Sequence, residues 1–332
     1  MNLQGRNLLK ETDLTAAEFL YLVELGGRLR LQKRMGLRHS RLAGRNIALI
    51  FEKASTETRS ACEVATHDEG GYVTYLGPED SRLGRKESVK DTARVLGRMF
   101  DGIEYRGAQA TVETLGAYAG VPVWNGLTDD WHPTQMLADI MTMRDYTSKP
   151  LTEVSYCYLG DGRNNVANSL LATGAMLGMD VRICAPAPLQ PSARVQEIAG
   201  KLAADSGARL LVTADILAAV AGADFLYTDA WLSMGESATA WGERIHLLMP
   251  YQVNRDVMAA TGNLGVKFMH CLPALHNRDT ETARRLYNTR RLTALEVTEE
   301  VFESPASIVF DQADNRLHMI KAVMVATAGD LR

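Results

Sequence analysis

The residues best suited to chemistry stand together in the stretch NIALIFEKASTETR, residues 46–59. Ile47–Phe51 is apolar and partly β-branched, which predicts a buried strand, and Arg59–Thr66 favours a helix. A strand, a polar turn and a helix start form a place for an anion, because the first backbone N–H groups of a helix lack partners. The turn adds three hydroxyl donors, Ser55, Thr56 and Thr58. It therefore indicates an anion site, and the alternative is an N-cap cluster ahead of a surface helix.

Two charged residues of the same turn act in opposite directions. Arg59 adds a cation, whereas Glu57 places a carboxylate in the middle of the predicted loop. A carboxylate repels a bound dianion, so Glu57 argues against a phosphate ligand unless another cation compensates for it.

Further polar motifs begin where other apolar strands are predicted to stop. Strands alternate with helices along the chain, which predicts parallel sheets, and ligands of such sheets bind at the carboxyl ends of the strands. For any single motif, capping of a loop is the simpler explanation, but together they favour a cleft between two domains. The motifs are Ser55–Arg59, Arg106, His132–Gln135, Asn165, Asp229–Gly235 and His270–Pro273.

The elements that must position these residues fall into two sets. The fold class is α/β, with two domains, each a mainly parallel sheet flanked by helices on both faces. The first domain is predicted over residues 1–147 and the second over 151–317, with a candidate linker at Ser148-Lys149-Pro150. A final helix, about 318–332, is predicted to cross back to the first domain.

Composition excludes several functional classes. A chain of 332 residues with 46% hydrophobic and 23% charged residues is typical of a globular protein, and a net charge of -4 gives no general attraction to nucleic acid. No apolar run approaches the ~20 residues of a membrane span, and the first residues lack a secretory apolar region, which predicts a cytoplasmic protein. The four cysteines form no CxxC pair and no histidines have HxxxH spacing, so no metal site or disulfide framework is predicted.

Four motifs together resemble the signature set of ornithine carbamoyltransferases, and the resemblance extends over essentially the whole chain. The Asp-x-x-x-Ser-Met-Gly loop is the most specific of them, because it is similar to the ornithine-binding loop and differs from aspartate carbamoyltransferases. The motifs are Ser55-Thr56-x-Thr58-Arg59, His132-Pro133-Thr134-Gln135, Asp229-x-x-x-Ser233-Met234-Gly235 and His270-Cys271-Leu272-Pro273.

The resemblance implies a homotrimer that transfers the carbamoyl group of carbamoyl phosphate to the δ-amine of L-ornithine, giving citrulline and phosphate without a cofactor. The N-terminal domain would bind the donor and the C-terminal domain the acceptor. The implied catalytic residues are Arg106, His132, Asp229, Cys271 and Arg316. The implied substrate-binding residues also include Ser55, Thr56, Glu57, Thr58, Arg82, Gln135, Asn165, Ser233, Met234 and Leu272.

The chemistry of these residue types agrees with those roles. Attack on the donor builds negative charge on its carbonyl oxygen, which Thr58, Arg106 and His132 would stabilise. The attacking alkyl amine has a pKa near ~10, so it must lose a proton first, and Asp229 would orient it and accept that proton. Taken alone, Cys271 could be a small core residue and Arg106 a salt-bridge partner.

The chain departs from the family pattern at the donor loop. Glu57 replaces the central arginine of Ser-Thr-Arg-Thr-Arg, while Arg82 and Arg85 replace the usual glutamine and histidine of the Gly77–Ser88 loop. In the family this loop reaches the active site of the neighbouring subunit. The hypothesis is that Arg82 or Arg85 of the adjacent chain pairs with Glu57 and restores part of the lost positive charge.

Three functional interpretations follow from these residues. The first is an ornithine carbamoyltransferase with a rewired donor site. The second is a specialised paralogue with an altered donor, acceptor or inhibitor tolerance, and the third is a non-catalytic trimer that binds ligands. The sequence leaves open whether the reaction runs toward citrulline or back toward carbamoyl phosphate.

Overall fold

The computed structural model describes residues 1–80, 83–84, 86–231 and 238–330. These residues form two compact units: one comprises Met1–Asp145 and the chain from Ala313 onward, and the other comprises Tyr146–Gln312. Among the described helices, none is long and apolar enough to cross a membrane.

The first unit is a four-stranded parallel sheet with the strand order β2-β1-β3-β4. Its strands are β1 Asn46–Phe51, β2 Tyr72–Leu76, β3 Gly102–Gly107 and β4 Val123–Thr128. Its helices are α1 Ala16–Arg34, α2 Thr56–Asp68, α3 Val89–Leu96, α4 Gln109–Tyr118 and α5 Pro133–Tyr146, the last of which ends at the unit boundary.

The second unit is a five-stranded parallel sheet with the order β7-β6-β5-β8-β9. Its strands are β5 Ser155–Leu159, β6 Asp180–Cys184, β7 Arg209–Thr213, β8 Phe225–Thr228 and β9 Lys267–His270. Its helices are α6 Asn165–Met176, α7 Ala193–Ser206, α8 Ile216–Val220, α9 Ala238–Leu248, α10 Arg255–Ala260, α11 Glu281–Arg290 and α12 Glu299–Phe302.

The last helix, α13 Val309–Ala328, returns to the first unit as predicted. Its Met319 packs on α1 at Gly26, where an added Cβ would lie 2.4 Å from the methionine sulfur. Its Met324 sulfur lies 3.5 Å from Thr66 Oγ1 of α2. The fold class predicted from the sequence, two parallel-sheet domains with a returning C-terminal helix, is confirmed.

Local sequence explains where the helices begin. Thr15 caps α1 and forms a capping box with Glu18, as predicted. Ser55 caps α2, whose first turn is therefore Thr56–Thr58 rather than the predicted loop. α13 begins at Val309, well before the predicted start near His318. The sequence placed the start too late because buried polar residues interrupt the apolar pattern in the first half of the helix.

Each sheet has one point where the order of strands reverses. In the first sheet the chain runs from β1 outward to β2 and then returns to β3 on the other side of β1. In the second sheet the chain runs from β5 outward to β6 and β7 and then returns to β8. The crevice outside the carboxyl ends of such adjacent strands is the usual ligand site of an open α/β sheet. The sequence motifs that follow β1, β5 and β8 lie at the carboxyl ends of these strands.

Candidate active site

The turn after β1 presents a helix N-terminus surrounded by hydroxyl groups. Ser55 Oγ accepts a hydrogen bond from the Thr58 backbone N–H at 3.3 Å and lies 3.1 Å from Thr58 Oγ1. Thr58 is buried, whereas Thr56 is exposed in the first helical turn. The uncapped N–H groups of this turn and the partial positive charge of the helix end suit a small anion.

The sequence predicted that Glu57 lies in the middle of a loop, but the structure places it in the first turn of α2. Its side chain is exposed, and its Oε2 lies 3.3 Å from Ser55 Oγ, which donates to it. A carboxylate at this helical position interacts favourably with the helix dipole, which explains why the residue is tolerated there. The negative charge of the same carboxylate repels an anionic ligand at this helix end. The next cation along the chain is Arg59, which forms an ion pair with Glu63, with 2.8 Å between Nε and Oε1.

Two arginines from distant parts of the chain converge on Thr58. Arg316 of α13 is 6% exposed, and its Nη2 donates to Thr58 Oγ1 at 2.8 Å. Arg106 of β3 approaches the same hydroxyl at 3.5 Å through Nη1. The first unit therefore places two guanidinium groups beside the helix N-terminus, which gives an anion both charge and directed hydrogen bonds.

His132 adjoins these arginines as a neutral ring. Its Nε2 lies 3.2 Å from Arg316 Nη2 and must be the acceptor, because a guanidinium only donates, so the ring proton is assigned to Nδ1. Burial, followed by the charges of Arg316 and Arg106, holds the pKa of His132 well below its usual value. His132 can therefore act as a neutral hydrogen-bonding group but not as a cation at neutral pH.

Gln135 lies in the first turn of α5 and is 1% exposed. Its Nε2 donates to Asp139 Oδ1 at 2.7 Å, while its Oε1 has no hydrogen-bond partner among the described residues. A buried carbonyl oxygen without a partner is unfavourable, and a ligand NH₂ group would satisfy it.

In the second unit, Asp229 follows β8 and is held by three donors. Its Oδ1 accepts from the Cys271 thiol at 3.1 Å and from the Ala230 N–H at 2.8 Å, and its Oδ2 accepts from Asn164 Nδ2 at 3.2 Å. Burial raises the pKa of Asp229, although His270 and the hydrogen bonds from Cys271 and Ala230 act in the other direction. Its carboxylate is thus fixed in place and made more basic than an ordinary aspartate.

The asparagine that contacts Asp229 is Asn164, whereas the sequence motifs had indicated its neighbour Asn165. Asn164 is the N-cap of α6 and also donates to Tyr158 OH at 2.8 Å. The predicted residue, Asn165, is the first residue of α6, and its Oδ1 accepts from the Val166 N–H at 2.9 Å. The Asn-Asn pair after a glycine loop is an N-cap signal, and it could have identified Asn164.

The segment that carries Cys271 is fixed by buried polar groups. His270 Nδ1 accepts from the Leu272 N–H at 2.8 Å, and the His270 N–H donates to Gln312 Oε1 at 3.0 Å. His270 Nε2 lies 3.5 Å from the buried carboxylate of Glu296. These contacts fix the segment whose Cys271 thiol donates to Asp229.

Two groups of side chains have the ligand types of a metal site. The ligand atoms of Asp229, His270 and Cys271 lie within 4.8 Å of one another, as do those of His276, Glu299 and Glu303. In the first group His270 already accepts from a backbone N–H, so its Nδ1 lone pair is not available to an ion. The predicted ligand residues Arg82, Ser233 and Met234, and also Arg85, lie outside the described residues.

Two doubly wound parallel sheets, each with polar side chains at its own reversal point, define a two-domain α/β protein that binds small polar ligands. A model of the aspartate/ornithine carbamoyltransferase carbamoyl-P binding domain matches residues 6–145, and a model of the Asp/Orn binding domain of that family matches residues 152–327. The chain therefore belongs to the aspartate/ornithine carbamoyltransferase family, as the sequence motifs indicated.

Individual relatives are similar over the full chain. The ornithine carbamoyltransferase of Haemophilus influenzae (strain PittGG) is 57% identical over 329 residues, which is 98% of each chain. A catabolic ornithine carbamoyltransferase of Rhizobium meliloti (strain 1021) is 56% identical over 331 residues, 99% of each chain. The structure of the ornithine carbamoyltransferase from Pyrococcus furiosus covers 100% of both chains with a TM-score of 0.91 and 40% identity.

Proposed function

We propose that this protein transfers the carbamoyl group of carbamoyl phosphate to the δ-amine of L-ornithine, giving L-citrulline and phosphate, or catalyses the reverse reaction. The observation that carries the proposal is the 57% identity, over 98% of each chain, to a protein named ornithine carbamoyltransferase. The residues found at the two reversal points have the chemistry that this reaction requires.

In the proposed donor half, the phosphate group of carbamoyl phosphate binds at the N-terminus of α2. Backbone N–H groups and the hydroxyls of Ser55 and Thr58 donate to it, and Arg106 and Arg316 supply positive charge. The carbamoyl NH₂ group donates to the unpartnered Oε1 of Gln135. Thr58, the arginines and the neutral His132 hydrogen-bond the carbonyl oxygen as it becomes negative.

In the proposed acceptor half, Asp229 orients the δ-amine and takes up a proton from it. The amine nitrogen then forms a bond to the carbonyl carbon, the bond from that carbon to the phosphate oxygen breaks, and phosphate leaves with the electron pair. The raised pKa of Asp229 makes it a better proton acceptor, and Cys271 and Asn164 hold its two oxygens. Asn165, Leu272 and the Ser233-Met234 backbone remain predicted contacts of the ornithine α-groups.

A homotrimer is the proposed assembly, with the Gly77–Ser88 loop contributing to the active site of the neighbouring subunit. This proposal is supported by the family resemblance, and the cytoplasmic location also stays a prediction from the sequence. The two alternatives from the sequence, a specialised paralogue and a non-catalytic trimer, are not favoured by relatives of 56–57% identity that are named ornithine carbamoyltransferase. Glu57 still distinguishes the donor turn, because its carboxylate adjoins the hydroxyl that would face the phosphate.

The test is citrulline formation by the purified protein with carbamoyl phosphate and ornithine. We expect turnover with ornithine and little with putrescine, lysine or aspartate. Asp229→Asn should reduce kcat by about 10²-fold or more, since it removes the proton acceptor while keeping its shape. Asp256→Asn, an exposed aspartate in the first turn of α10, is the matched control and should behave as wild type.

Two results would contradict the proposal. Absence of citrulline despite saturable ornithine binding would favour the paralogue with another donor. Faster carbamoylation of a different amine would show that the acceptor has been misidentified.

A further inference from the structure

Gln135 and Asp139 form a buried side-chain pair on α5. They are four residues apart and so lie on the same face of the helix. Gln135 is 1% exposed and Asp139 is 0% exposed. Gln135 Nε2 donates to Asp139 Oδ1 at 2.7 Å, whereas Gln135 Oε1 has no hydrogen-bond partner among the described residues. The protein therefore satisfies one end of this buried amide and leaves the other end open.

The carboxylate of Asp139 determines which end of the amide is left open. An ionised carboxylate only accepts hydrogen bonds, so it can bind the NH₂ group of Gln135 but not its carbonyl oxygen. Turning the amide over would bring two oxygens together in a buried place and would lose the hydrogen bond. Hydrogen-bonding chemistry thus fixes Oε1 as the group that remains for a ligand, although the two ends of an amide have nearly the same shape.

Gln135 is close in the chain to the groups of the proposed donor site. Its backbone N–H donates to the carbonyl oxygen of His132 at 3.1 Å, in the first turn of α5. The His132 ring lies 3.2 Å from Arg316, which donates to Thr58 at the start of α2. A buried acceptor near an anion site suits a ligand that carries an N–H donor beside its phosphate group.

A second pair of glutamine and carboxylate shows what is particular about the first. On α4, Gln109 Nε2 donates to Glu113 Oε1 at 3.1 Å, with the same spacing of four residues. The other end of this amide is also satisfied, because Gln109 Oε1 accepts from the Thr128 hydroxyl at 2.5 Å. Glu113 is exposed. Of the two pairs, only the one on α5 combines burial with an open carbonyl oxygen, as expected of a binding group.

We propose that Asp139 is a positioning residue that holds the Gln135 carbonyl oxygen toward the donor, and that the site thereby selects an acyl phosphate bearing an NH₂ group over one bearing a methyl group. The two groups are similar in size, so shape alone distinguishes them poorly. An NH₂ group donates to the buried oxygen, whereas a methyl group leaves that oxygen without a partner. Asp139 acts through Gln135 and does not touch the ligand. The inference rests on the proposed donor site.

The experiment compares two unreactive donor analogues that differ only at this group. Phosphonoacetamide carries the NH₂ group, and acetonylphosphonate carries a methyl group in its place. Titration calorimetry gives the Kd of each analogue, and the ratio of the two values is the readout. Asp139→Asn keeps the size of the side chain but can donate as well as accept, so the Gln135 amide can take either orientation. Glu113→Gln makes the comparable change in the exposed α4 pair and is the matched control.

Wild type and Glu113→Gln should bind phosphonoacetamide about 10- to 100-fold more tightly than acetonylphosphonate, because the methyl analogue leaves a buried acceptor unpaired. In Asp139→Asn this ratio should fall by about 3- to 10-fold. A merely structural defect would weaken both analogues alike and leave the ratio unchanged. Gln135→Ala should abolish the preference, and adding Asp139→Asn to it should change the ratio no further. Equal ratios in wild type and Asp139→Asn, or no preference in wild type, would overturn the inference.

A second measurement uses the wild-type protein alone and so does not depend on a variant folding. Neutron diffraction from crystals of the complex with phosphonoacetamide distinguishes nitrogen from oxygen and locates the deuterons. The amide deuterons of Gln135 should lie on the side of Asp139, and a deuteron of the ligand amide should point to Gln135 Oε1. The opposite orientation of the Gln135 amide would contradict the inference while leaving the proposed reaction intact.

The outcomes separate this inference from the proposed function, because neither analogue reacts. Selection that depends on Asp139, in a protein that forms no citrulline, would support the inference and contradict the proposed reaction. Failure of both analogues to bind to wild type would contradict the proposed donor site, and the inference with it.

Discussion

At the scale of single residues, the donor site combines two arginines with two carboxylates of different kinds. Glu57 is exposed on the first turn of α2, whereas Glu104 is buried beneath that turn. The Glu57 carboxylate opposes an anionic ligand, although water and salt screen its charge, whereas burial raises the pKa of Glu104 to about 8. The two carboxylates should therefore be separable by experiment.

Glu57→Arg should strengthen donor binding. The substitution replaces a negative charge beside Ser55 with a positive one, which near an exposed dianion is worth about 1–2 kcal/mol, or roughly 5- to 30-fold in affinity. Glu57→Gln should give about half of the free-energy change. The measurement is the KM and Kd for carbamoyl phosphate at low and high salt, and both gains should shrink as salt increases. Weaker binding by Glu57→Arg would show that Glu57 has a positive role, such as binding a different donor.

Glu104→Gln should change how stability depends on pH. The pKa of Glu104 is raised from 4.5 to about 8 in the folded protein, so between these values the folded state holds a proton that the unfolded state has released. Its contribution is therefore fully present below pH 4.5 and is lost as pH rises through 8. Wild type should lose up to about 1.4 kcal/mol of unfolding free energy per pH unit in this window relative to the variant. Urea unfolding at several pH values measures this, and parallel pH curves for the two proteins would contradict it.

At the scale of elements, the start of α2 combines a structural task with a binding task. Ser55 satisfies the Thr58 N–H as the N-cap, and its hydroxyl is also among the donors proposed for the ligand. The second unit offers a cap of the same chemistry for comparison: Ser192 accepts from the Val195 N–H at the start of α7, also at 3.3 Å.

Ser55→Ala and Ser192→Ala should cost similar stability but differ in function. Loss of a serine N-cap typically costs about 1 kcal/mol, which denaturant unfolding of each variant can measure. Only Ser55→Ala should also raise the KM for carbamoyl phosphate. If both variants bind the donor as wild type does, the start of α2 is a structural cap and not a ligand site.

At the scale of the whole molecule, assembly decides whether each active site is complete within one chain. The proposed trimer would have a mass three times the 36.5 kDa of the chain. The family resemblance predicts that the Gly77–Ser88 loop reaches the neighbouring site, and the hypothesis is that Arg82 or Arg85 pairs there with Glu57.

Sedimentation equilibrium should therefore give the mass of a trimer, and mixed trimers should test the shared site. Glu57→Arg and Arg82→Gln, made singly and together, should have non-additive effects on donor affinity if the two side chains interact. Mixing His132→Ala subunits with Arg82→Gln/Arg85→Gln subunits should then restore some activity, because one site in the hybrid has both groups intact. Strictly additive effects, or no recovery in hybrids, would rule out the pairing.

Much of this protein was determined by its sequence alone. Apolar strands alternating with helices predicted both parallel sheets, and polar motifs at strand ends indicated Thr58, Arg106, His132, Asp229 and Cys271 as candidate site residues. These signals are local, because burial on both faces of a parallel strand requires an apolar run and a ligand site requires polar residues where that run stops.

Only the tertiary structure showed which polar groups share one environment. In the sequence Glu104 is one polar residue within a strand. Its raised pKa arises from burial by distant parts of the chain, which Arg316 and Cys62 offset only in part. The sequence likewise did not show which of Asn164 and Asn165 is the site residue, and only the structure revealed that Asn164 contacts Asp229. Burial and charge pairing depend on neighbours that are distant in sequence, and no local pattern of residues encodes them.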